Sequence, residues 1–72
     1  MSKIYYKITS IEKIFSSLND AKIYIWFNYT DESRKVLDGE YIVKYINDEP
    51  ATAKKIKYKG DKYGFSRTVR LK

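Results

Sequence analysis

The residues with the plainest chemistry in this chain are cations. From Pro50 onward stand Lys54, Lys55, Lys57, Lys59, Lys62, Arg67, Arg70 and Lys72, against Asp61 as the single acid. That segment carries +7, whereas residues 1–49 hold seven basic residues and eight acids, so the net charge of +6 lies wholly in the last third. Ammonium and guanidinium groups at this density suit a polyanion, and each phosphate they neutralise releases condensed counterions. Tyr63 stands among them as a ring on which a base can stack.

Other chemistry is excluded or weakly supported. The chain has no histidine and no cysteine. It therefore lacks the commonest general base, the commonest metal ligand, thiol nucleophiles and disulfides. Gly39, Gly60 and Gly64 are too far apart for either glycine-rich phosphate cradle. The acid pairs Asp31/Glu32 and Asp48/Glu49 read as turn residues in water. No metal or other cofactor is implied. One enzymatic reading stands as a third choice: a histidine-free ribonuclease using Tyr58, Tyr63, Arg67 and Arg70.

The cations sit on a strand-like pattern. Ile56 and Tyr58 alternate with Lys55, Lys57 and Lys59; after Gly60-Asp61-Lys62-Tyr63-Gly64, Phe65, Val69 and Leu71 alternate with Ser66, Thr68 and Arg70. The turn closes either as a two-residue loop on Gly60-Asp61 or as a four-residue loop from Asp61 to Gly64. Both registers place Lys55, Lys57 and Lys59 on the face of Ser66, Thr68 and Arg70. The four-residue register sets Lys55 opposite Arg70, a like-charge pair that costs stability unless a polyanion covers it. Lysines on an edge strand also deter aggregation without any ligand. The nonapeptide KIKYKGDKY, residues 55–63, resembles the first hairpin of small basic archaeal chromatin proteins. The rest of the chain departs from that pattern, and no family is assigned on it.

The remaining elements must position this hairpin. Lys3 to Ile8 alternates Ile4, Tyr6 and Ile8 against Tyr5 and Lys7, a first strand. Thr9-Ser10-Ile11-Glu12 fits a capping box, followed by Ile11, Ile14, Phe15 and Leu18 at helical spacing. Lys22 to Tyr29, rich in β-branched and aromatic residues, reads as a strand on which that helical stripe packs through Ile23, Ile25 and Phe27, with Tyr24 and Trp26 on the other face. Lys35 to Asp38 begins a returning strand or makes one helical turn, with a kink at Asp38-Gly39. Glu40 to Ile46 is a strand with Tyr41, Val43 and Tyr45 on one face, and Asn47-Asp48-Glu49-Pro50 is a turn.

The expected architecture is a single α+β domain over residues 1–72, in the order β-α-β-β-β-β. It is a two-layer fold: a twisted antiparallel sheet of four to five strands with one short N-terminal helix on one face. No apolar run spans a membrane and residues 1–7 lack a signal-peptide core, so the expectation is a cytoplasmic protein, or one acting in a host cytoplasm. The leading functional expectation is a non-enzymatic nucleic-acid binder using Lys55, Lys57, Lys59, Lys62, Tyr63, Arg67, Arg70 and Lys72. The rival is a phage or mobile-element inhibitor directed at a host protein, such as a defence nuclease or another nucleic-acid-processing enzyme. An open sheet edge offers a route to a homodimer.

Overall fold

The computed structural model describes residues 2–28, 39–56 and 65–71. Its elements are β1 (Ile4–Ile8), β2 (Ile14–Phe15), α1 (Leu18–Asn28), β3 (Tyr41–Ile46), β4 (Glu49–Ile56) and β5 (Phe65–Arg70). The five strands form one antiparallel sheet in the order β2-β1-β3-β4-β5. With one helix laid on it, the chain is the expected small α+β two-layer fold. Among the described residues, no helix is long and apolar enough to cross a membrane.

The helix is not where the capping-box reading placed it, and the element order is β-β-α-β-β-β. Thr9 does not cap a helix. Its backbone N–H donates to the Tyr41 carbonyl at 3.0 Å, its hydroxyl donates to Glu40 and also accepts from the Tyr41 N–H at 3.2 Å. Thr9 thus prolongs the β1–β3 ladder, and the chain turns at once into β2, which pairs Tyr6 with Phe15 and Lys7 with Ile14. The working cap is Ser17: its Oγ accepts from the Asp20 N–H at 3.1 Å, and its carbonyl accepts from Ala21 N–H at 3.3 Å. Ser16 Oγ also donates to the Asp20 carboxylate, which favours the positive end of the helix.

Lys22 to Asn28 is accordingly helical, not extended. Its strand-like composition is overridden because Leu18, Ala21, Tyr24 and Ile25 share one helical stripe. Ala21 and Ile25 are fully buried against Ile8, Phe15, Ile42 and Ile56, with Tyr6, Ile11, Leu18 and Tyr24 packed around them. Ile23 and Phe27, expected to take the helical stripe, are exposed instead, and so is Ile14.

The register fixes the two faces of the sheet. Ile8 lies opposite Ile42, and Ile42 opposite Lys54, so Tyr6, Ile8, Ile42, Lys44, Thr52, Lys54 and Ile56 belong to the helix side. Tyr5, Lys7, Tyr41, Val43, Tyr45, Ala53 and Lys55 belong to the other. β3 and β4 join through Asn47 (φ 53°) and Asp48 (φ 69°), both left-handed, as a two-residue hairpin of the mirror-image type requires. Pro50 is therefore not in the turn but in β4, opposite Tyr45 and next to a bulge where Ala51 is the extra residue. It lies beyond the end of β5, where a missing N–H costs no ladder bond to that strand. Gly39, ahead of β3, has φ 102°, a conformation that favours glycine, while Asp38 before it lies outside the described residues.

Truncating Ile25 or Ile42 to Ala should cost about 2–5 kcal/mol each. Phe27→Ala, at a position 76% exposed, should move the urea midpoint little. Equal losses at Phe27 and Ile25 would contradict a helix lying on its Ala21–Ile25 side.

Candidate functional site

Three side-chain rows cross the sheet on the face away from the helix. The first joins Tyr5 to Tyr45. The second runs Ile14, Lys7, Val43, Ala53, Val69 across all five strands. The third joins Tyr41, Lys55 and Arg67. Val43 and Ala53 are buried although no described element lies on this face. The long side chains around them close over a small apolar floor, as aliphatic stems of Lys and Arg commonly do.

The aromatic row is tightly ordered. The Tyr5 and Tyr45 rings stack in parallel, with centroids 5.1 Å apart and planes 1° apart. Lys3 Nζ lies 5.5 Å from the Tyr5 ring and Lys7 Nζ 5.8 Å from the Tyr45 ring, both within cation–π range. The Asn47-Asp48 turn fastens this corner. Tyr5 donates its hydroxyl to Asp48 Oδ1 at 2.9 Å, and Lys3 Nζ reaches the same oxygen at 3.3 Å. Lys3 and Asn47 also exchange backbone contacts: the Asn47 N–H donates to the Lys3 carbonyl at 2.7 Å, and the Lys3 N–H donates to the Asn47 side chain at 3.0 Å. The hydrogen bond to Asp48 raises the Tyr5 phenol above its ordinary pKa, and the bonds from Tyr5 and Lys3 hold the Asp48 carboxyl below its own.

The cations expected from the sequence separate. Lys55 and Arg67 stand directly opposite each other on the outer face, and Arg67 is exposed. Arg70 lies opposite Thr52, and Thr68 opposite Lys54, on the helix side. The expectation that Lys55 shares a face with Thr68 and Arg70 is thus overturned. The cause is a bulge between Lys55 and Ile56, where Ser66 is the extra residue on β5 and the alternation shifts by one. A like-charge pair across the strands persists, with Arg67 in place of Arg70. Arg70 borders a separate open groove of about 540 Å³ with Ile46, Glu49, Pro50, Ala51 and Thr52. Arg67 and Arg70 lie on opposite faces of β5. Lys57, Tyr58, Lys59, Gly60, Lys62, Tyr63, Gly64 and Lys72 lie outside the described residues, as does the segment from Lys35 to Asp38.

Tyr5, Lys7, Tyr41 and Tyr45 join Lys55 and Arg67 on this face, and none of the four was singled out from the sequence. Their signal was present as the alternations of Tyr5 with Lys7 and of Tyr41 with Tyr45. What was missing was the adjacency of β1 and β3, which unites the two sets. No protein-family model, curated protein or solved structure matches the chain.

The Tyr5–Asp48 tie has a defined pH window. Asp48 has a lowered folded pKa, so its contribution is present at neutral pH and fades as pH falls through the acid range below about 4. Tyr5 has a raised folded pKa, so its contribution holds until pH climbs past about 10. An NMR titration should show Tyr5 ionising after an ordinary tyrosine, and Asp48→Asn should bring its pKa down. A Tyr5 titration that ignores this substitution would contradict the tie.

Proposed function

We propose that this protein binds nucleic acid through the phosphate backbone, using the outer sheet face together with the basic C-terminal hairpin. The observation that carries this reading is the Lys55–Arg67 pair. With Lys7 they set three cations on one sheet face, a surface that the phosphates of a polyanion can meet. Lys7 extends the positive surface across Val43 and Ala53 toward Tyr45. Among the described residues, the Asp48 carboxylate is already paired with Lys3 and bonded by Tyr5.

Salt dependence tests the reading. Phosphate contacts from Lys7, Lys55 and Arg67 alone should give a slope of log K against log salt of roughly −2 to −3. Arg67→Ala should remove about 0.7–0.9 from that slope, whereas Arg70→Ala, on the other face, should alter it less. Reversing charge with Lys55→Glu and Arg67→Glu together should abolish binding. Absence of any nucleic-acid binding at ~50 mM salt would contradict the proposal and favour the protein-directed inhibitor.

A further inference from the structure

We infer that the outer face is a stacking platform that takes single-stranded nucleic acid in preference to duplex. This inference rests on the nucleic-acid reading above and adds the substrate class. Phosphate contacts alone do not distinguish a single strand from a duplex, since both present a charged backbone. Aromatic rings do, because only an unpaired, unstacked base offers its π-face to a side chain.

The face is arranged for such contact. Tyr41 and Tyr45 stand on the same side of β3, four residues apart, or about 13 Å along the strand. That distance spans about four base steps of a fully stacked strand and fewer of an extended one. Between the two rings stand Val43 and Ala53, both small and buried, so no third ring and no acid stands between the tyrosines on β3 and its β4 neighbour. The Tyr45 ring is held upright by its parallel partner Tyr5, which the Asp48 carboxylate fixes through the phenol. Ordering cost is therefore met before any base arrives. Each ring has a cation near it: the Lys7 ammonium is 5.8 Å from the Tyr45 centroid, and Lys55 is the cross-strand neighbour of Tyr41. A base stacked on either ring brings its own phosphate toward that cation. The flanking apolar side chains Ile14 and Val69 close the two ends of the middle row without adding negative charge.

Among the described residues the helix side offers a different lining. Its groove of about 220 Å³ is lined by Tyr6, Leu18 and Ile42 with Lys44, Lys54 and Thr68, so it has cations but a single aromatic ring, and that ring packs on the core.

The test compares a thymidine oligonucleotide of about eight nucleotides with a mixed-sequence duplex of the same length at one salt concentration. The single strand should bind at least about tenfold more tightly. Tyr41→Ala should weaken single-strand binding about tenfold while leaving the salt slope and the circular dichroism spectrum unchanged, and Tyr41→Phe should restore it. Equal affinity for duplex and single strand, with Tyr41→Ala silent, would overturn the stacking inference and leave phosphate binding standing. Failure of both probes to bind would overturn both.

Discussion

One helix cannot cover two faces of a five-stranded sheet. Every other feature of this structure follows from how the chain handles that limit. The one helix among the described residues packs its buried side with Ile8 and Ile42, through Ala21 and Ile25, in a cluster that includes Phe15 and Ile56. The second face receives no layer from the described residues. It is made tolerable in water by small apolar residues at the centre, Val43 and Ala53, with tyrosines and long cations around them. A surface built that way is stable enough to fold and still carries rings and charges outward. The same economy that limits a small core leaves one sheet face without a second layer among the described residues.

The Asn47-Asp48 turn links local backbone chemistry to that face. Two consecutive left-handed residues close the β3–β4 hairpin, and this conformation is one that Asn and Asp accept more readily than most side chains. The same Asp48 then anchors Tyr5 and Lys3 from β1 and the residue before it. A turn that sets register thus also holds the Tyr5–Tyr45 stack. The two β-bulges act in the opposite sense, each shifting the alternation by one. The bulge at Ala51 lets Pro50 sit in a strand, and the bulge at Ser66 moves Arg67, not Arg70, alongside Lys55.

Much of the fold was legible in the sequence, in uneven parts. The α+β class, β1, β3 and the turn after Ile46 followed from alternation and turn chemistry. The helix was misplaced for a physical reason. Ile23, Tyr24, Ile25, Trp26 and Phe27 form an apolar run whose residue types favour strands, and with apolar side chains on all sides it shows little amphipathic contrast. The decisive signal lay just outside it, in Ser17 and Asp20 three residues apart, while the equally plausible Thr9 and Glu12 drew attention to a segment that became a turn. At the site, Lys55 and Arg67 were named from charge alone. Their pairing was hidden by a bulge that no alternation pattern reveals, and the tyrosines were hidden because pairing between β1 and β3 is a long-range fact.

The central claim is that the outer sheet face is the binding surface. The most direct measurement is a map of backbone amide shifts on adding a short single-stranded oligonucleotide to isotopically labelled protein. The account predicts changes concentrated at Tyr5, Lys7, Tyr41, Tyr45, Lys55 and Arg67, with Ala21 and Ile25 in the helix unmoved. Changes centred on Lys44, Lys54 and Arg70, or none at all, would contradict it.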